Sequence, residues 1–138
     1  MSEPIVLGFD GSAQAKAALA EAARLAAAEK APVVVVFAYY ISPLGGGDVR
    51  DYKLELERVA AETTVAAVAE LAAAGIEASA RHVSGRPAEA LLEVARELEA
   101  RMIVVGGRHQ GTLVAAVRGS LVTDLLQHAT VPVLVVPA

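Results

Sequence analysis

The chain has no cysteine, which excludes disulfides, thiol catalysis and cysteine-ligated zinc. It also has no run of basic residues. Its nine arginines and three lysines are dispersed and the net charge is −4, so the electrostatic footprint of a nucleic-acid binder is missing. The longest unbroken apolar stretch covers residues 31–41, well short of the roughly 20 residues that span a bilayer. The opening Met-Ser-Glu-Pro runs directly into an apolar segment, without the basic and cleavable apolar regions of a signal peptide. These absences point to a soluble, cytoplasmic protein with no nucleic-acid or membrane partner.

Several chemical signatures are missing as well. There is no Gly-x-x-x-x-Gly-Lys-Ser/Thr loop, and no Gly-x-Gly-x-x-Gly follows the first apolar run. The P-loop and dinucleotide readings therefore fail where they should appear. The three histidines, His82, His109 and His128, have no metal-ligand spacing. Ser12 and Ser120 lie in no Gly-x-Ser-x-Gly elbow and read as helix caps rather than nucleophiles. Glu89 and Glu93, one helical turn apart, read as a solvated face.

Aromatic residues make up only 4% of the chain, yet 55% is apolar. Alanine-rich helices packed closely on a valine-rich sheet account for both figures. Residues 4–9 form an apolar run ending at Asp10-Gly11-Ser12, a strand followed by a turn. Residues 13–30 contain no breaker and are dense in the best helix former. Residues 32–39 include four consecutive valines, the pattern of a strand covered on both faces. The segment 42–48, with three glycines in a row, favours no regular element. A long helix is expected over 49–74, with Leu56, Val59, Thr63, Val68 and Leu71 on one side and Gly75 at its C-terminal cap. Residues 76–83 alternate as a more exposed strand. Pro87 suits the first turn of a helix, and Leu91, Leu92, Ala95 and Leu98 give that helix an apolar stripe. A strand over 102–105, a glycine-rich loop, a helix over 119–128 and a last strand from Val131 to Val136 complete the order β-α-β-α-β-α-β-α-β. Such alternation implies a parallel sheet with helices on both faces, and the whole chain, 1–138, reads as one domain.

In such a sheet, ligands bind beyond the carboxyl ends of the strands, where the strand order reverses. Three segments end strands with suitable residues: Gly8 to Ser12, Ala38 to Tyr40, and Gly106-Gly107-Arg108-His109-Gln110-Gly111-Thr112. Small residues let a backbone approach a phosphate, and a following helix N-terminus offers free N–H donors. Arg108 adds a forked cation, and Ser120 can cap the next helix or donate to a phosphate. On spacing alone the glycine-rich segment is equally a tight turn. Asp10 is either a ligand for a base or sugar or a cap for the first helix, a task open to Ser12 too. His109 is the one histidine within the candidate site.

These residues resemble the universal stress protein family over essentially the whole chain. Residues 5–12, Ile-Val-Leu-Gly-Phe-Asp-Gly-Ser, resemble its first strand and terminal aspartate, and Gly85-Arg86-Pro87 its turn before the third helix. The family's nucleotide motif, Gly-x2-Gly-x9-Gly-Ser/Thr, is matched by Gly106 and Gly119-Ser120 at the correct separation. Pro132-Val133-Leu134-Val135-Val136 follows as the closing strand. The resemblance implies an open five-stranded parallel sheet of order 3-2-1-4-5, Rossmann-like and of the adenine nucleotide alpha hydrolase-like kind. It implies ATP or AMP as ligand, with magnesium as a counter-ion. Gly8, Asp10 and Ala38 would lie near the adenine. Gly106, Gly107, Arg108, His109, Gly111, Thr112, Gly119, Ser120 and Leu121 would surround the ribose and phosphates. It also implies a homodimer joined through the strand from Val131 to Val136.

The chain departs from the pattern twice. His109 stands where the motif has its second glycine, and Val122 stands where the family often has Ser or Thr. The expected function is a stress-response regulator that binds an adenine nucleotide. A nucleotide-independent dimer that binds partner proteins is the alternative, and a slow ATPase the lesser one.

Overall fold

A computed structural model of the chain describes residues 3–39, 49–107 and 121–137, with residues 49 and 50 described by their backbone. The elements are β1 (Ile5–Gly8), α1 (Ala13–Glu29), β2 (Val33–Tyr39), α2 (Val49–Ala73), β3 (Ala78–Ser84), α3 (Pro87–Glu97), β4 (Met102–Gly107), α4 (Leu121–His128) and β5 (Val133–Pro137). The five strands form one parallel sheet in the order β3-β2-β1-β4-β5. The strand order, and with it the Rossmann-like architecture, is the one expected from the sequence.

Alternate residues of the central strands feed two separate cores. Ile5, Leu7, Val33, Val35 and Val104 face α1 and α2, where they meet Ala18, Leu19, Ala22, Ala67 and Leu71. Val6, Val34, Val36, Ile103 and Val105 face the other way, onto Leu91, Val94 and Ala95 of α3 and Leu125 of α4. Burial on both faces is why the valine run does not alternate with polar residues. The alanines of α1 bring the helix backbone close to the sheet, so few aromatic rings are needed to fill the space between them.

Helix ends follow local chemistry. Ser12 takes extended backbone angles and its Oγ accepts from the Ala15 N–H at 3.1 Å, a cap that contributes about 1 kcal/mol. α1 ends one residue earlier than its composition suggests, because Lys30 adopts left-handed angles (φ 54°, ψ 43°) and returns its N–H to the Ala26 carbonyl. After α2, Gly75 takes φ +81°, and the Ile76 N–H reaches back to the Leu71 carbonyl at 3.0 Å. That is the cap expected of this glycine.

The stripe expected on α2 is displaced. Its buried line is Ala60, Thr64, Ala67 and Leu71, while Val59 is exposed. Small residues allow α2 to lie close to β3, and a larger valine is turned outward. Thr64 is the one buried polar residue in the described core. Its hydroxyl donates to the Ala60 carbonyl at 2.8 Å and therefore accepts from His82 Nε2 at 2.8 Å. His82 thus lies on an exposed edge strand, as expected, but ties that strand to α2. On α3, Val94 shares the buried stripe with Leu91 and Ala95, while Leu92 and Leu98 are only partly buried. Among the described residues, no helix is long and apolar enough to cross a membrane.

Candidate functional site

The strand order reverses between β1 and β4, which run parallel: α1 leaves β1 on one face, and α3 and α4 cover the other. At the carboxyl ends of β1, β2 and β4 this leaves a cleft of about 270 Å³. Gly8, Phe9 and Asp10 come from the end of β1, and Ser12, Gln14 and Ala15 from the start of α1. Val36 and Ala38 come from β2, Pro87 and Leu91 from the start of α3, Val105 and Gly106 from β4, and Leu121 from the start of α4. α1 and α3 therefore begin at this cleft, and the first-turn N–H groups that no cap satisfies favour an anion there.

Its two sides differ in chemistry. Val36, Ala38, Pro87, Leu91 and Val105 make an apolar wall on the α3 face. Asp10, Ser12 and Gln14 supply polar groups at the α1 end. Asp10 is the only charged side chain among the described lining residues. Its Oδ1 accepts from the Ser12 N–H at 2.9 Å, so the carboxylate shapes the turn at Gly11, where φ is +84°. The capping role left open between Asp10 and Ser12 therefore falls to Ser12. The other carboxylate oxygen of Asp10 has no partner among the described residues.

Of the residues singled out from sequence, Gly8, Asp10, Ala38, Gly106 and Leu121 line this one cleft. Gly107 does not line it. A Cβ there would strike Val135 of β5. Arg108, His109, Gly111, Thr112, Gly119 and Ser120 lie outside the described residues. Gly106 and Gly107 are strand rather than loop residues, in register with Val136 and Pro137 of β5. Val122 is partly buried against the core beneath α4.

Gly106 has a packing reason to be glycine. A Cβ at this position would fall on the backbone carbonyl of Gln14. Its φ lies outside the left-handed range, since Gly11, Gly75 and Gly85 are the described glycines with positive φ. The missing side chain therefore serves closeness, not an unusual backbone angle. At Gly8, a Cβ would press on Leu91 Cδ1 at 3.0 Å and Val105 Cγ1 at 3.1 Å. Sequence reasoning missed Gln14, Pro87 and Leu91 as lining residues. Pro87 and Leu91 read there as an ordinary helix start and core stripe, and Gln14 carried no motif.

Two shallower depressions, each about 500 Å³, lie at the opposite end of the sheet. One is bordered by Lys30, Gly75 and Glu77, the other by Glu3, Glu77 and Glu99. Both are larger than the cleft, but α1, α2 and α3 end there. Helix C-termini and three carboxylates disfavour an anionic ligand, so the smaller cleft is the better candidate.

A model of the universal stress protein family matches residues 1–137. A universal stress protein from Thermus aquaticus, encoded in the 3′ region of a QAH/OAS sulfhydrylase, is 37% identical over 139 residues, covering 99% of each chain. Among solved structures, a universal stress family protein from Burkholderia pseudomallei superposes with a TM-score of 0.83 at 30% identity. The match covers 99% of this chain and 96% of that one. A universal stress protein in complex with cAMP superposes with a TM-score of 0.79 at 26% identity, over 97% of this chain and 96% of that one. The cleft lies where the strand order reverses, and sequence, family pattern and backbone agree over nearly the full length: the chain belongs to the universal stress protein family.

Proposed function

We propose that this protein is a cytoplasmic stress-response regulator that binds an adenine nucleotide, AMP or ATP, in the cleft at the carboxyl ends of the strands. The observation that carries this reading is the convergence of Gly8, Asp10, Ala38, Gly106 and Leu121 on one cleft, between an apolar wall and the N-termini of α1 and α3. The wall suits a flat base, and the helix N-termini suit phosphate oxygens. A family relative in complex with cAMP supports an adenine nucleotide as the ligand class. By the family motif, Gly106, Arg108, His109, Gly111, Thr112, Gly119 and Ser120 would embrace the phosphates, and magnesium would accompany ATP as its counter-ion. The protein would work as a homodimer through β5.

A nucleotide-independent, partner-binding dimer is the second reading. It is favoured by His109 at a motif glycine and by the half-buried edge strand β5 beside the exposed Leu126 of α4. A bare apolar edge of this kind calls for a cover. Calorimetric titration of nucleotide-free protein with AMP, and with ATP with and without magnesium, separates the two. The nucleotide reading predicts saturable binding of one nucleotide per chain. No heat at millimolar nucleotide supports the partner-binding dimer instead.

A further inference from the structure

Gln14 has no place in the motifs that point to the cleft, yet it lines it. It stands in the first turn of α1, half-buried. Its backbone carbonyl and Cβ rest directly over Gly106, so its side chain leaves the helix at the junction of β1 and β4. The carboxamide has no hydrogen-bond partner among the described residues. An amide brings two donors and one acceptor, and covering it with a ligand that cannot pair with it would forfeit its hydration.

Resting on the nucleotide reading above, we infer that Gln14 is a specificity residue whose amide donates to the 5′-phosphate of the bound nucleotide. Three observations select the phosphate over the base. Gln14 lies at the α1 end of the cleft, away from the apolar wall made by Val36, Ala38, Pro87 and Leu91. It sits on Gly106, the first glycine of the glycine-rich segment, one residue before the end of β4. It also belongs to the first turn of a helix, where the backbone N–H groups already favour an anion.

The test compares AMP with adenosine by calorimetry on the full chain and on two variants, Gln14→Ala and Gln14→Glu. Gln14→Ala removes a hydrogen bond to a charged group and weakens AMP about tenfold. Gln14→Glu is nearly isosteric but places a carboxylate against the phosphate. It weakens AMP by a further factor of about ten, and this extra loss shrinks as salt is raised. Adenosine binding changes by no more than about twofold in either variant. Thermal melts of both variants confirm that each is folded. Equal losses for AMP and adenosine, or no loss in a folded variant, overturn the inference while leaving the nucleotide reading intact. Failure of the unmodified protein to bind either compound defeats the nucleotide reading, and the role of Gln14 falls with it.

Discussion

Gly106→Ala lowers the melting temperature by roughly 10 °C, the equivalent of about 3 kcal/mol at the midpoint for a chain of this size. The sign runs against the ordinary rule. Replacing a glycine whose backbone angles suit any residue normally stabilises a protein by reducing the freedom of the unfolded chain. Gly106 has such angles, but its missing Cβ is the space occupied by the Gln14 carbonyl. Backbone cannot step aside as a side-chain tip can, so α1 must lift from β4 and lose contact along its alanine face. Gly8→Ala serves as the comparison. There the obstructing atoms are the side-chain ends of Leu91 and Val105, which shift by small rotamer changes, so the loss is smaller. Thermal denaturation of both variants checks the ordering. A Gly106→Ala protein as stable as the parent would mean that α1 does not seat on β4 as described.

Ala38→Phe lowers nucleotide affinity by more than roughly a hundredfold, or about 3 kcal/mol, while the fold persists. Ala38 lies near the end of β2 and is only half-buried. It shares a face with Val34 and Val36, on the α3 side. A benzyl group there has solvent on one side, so the core is spared. On the other side it occupies the cleft, whose volume of about 270 Å³ is already at the small end for a ligand site. Titration of the variant with AMP, alongside its melting curve, checks both halves of the expectation. Unchanged affinity in a folded Ala38→Phe protein would place the nucleotide elsewhere.

The fold was legible because its signals are local and repeated. The valine run at 33–36, the caps at Ser12 and Gly75, and Pro87 at the start of α3 each say the same thing as the alternation of elements. The reading went astray where alanine carries the packing. On α2 the hydrophobic pattern puts the larger Val59 on the buried side, whereas Ala60 and Ala67 hold it. A hydrophobic pattern ranks bulk, but a close helix–sheet approach selects small residues. Gly106 and Gly107 illustrate a second limit. Consecutive glycines suggested a loop, yet both are paired strand residues whose missing side chains make room for Gln14 and Val135.

The candidate site was half legible. Asp10, Ala38 and Gly106 came from strand ends and a family pattern, and the structure brings them to one cleft. Gln14 and Leu91 were not found, because nothing in a one-dimensional pattern places a first-turn glutamine over a glycine 92 positions later. That proximity is a product of the strand order, in which β4 inserts beside β1.

Amide chemical-shift mapping of the isotope-labelled protein titrated with AMP locates the bound nucleotide on the sheet. Saturable shifts are expected at Gly8, Asp10, Gln14, Ala38, Gly106 and Leu121, with Lys30, Gly75, Glu77 and Glu99 at the opposite end of the sheet unmoved. Shifts confined to that opposite end, or none at saturating AMP, would contradict nucleotide binding in the cleft.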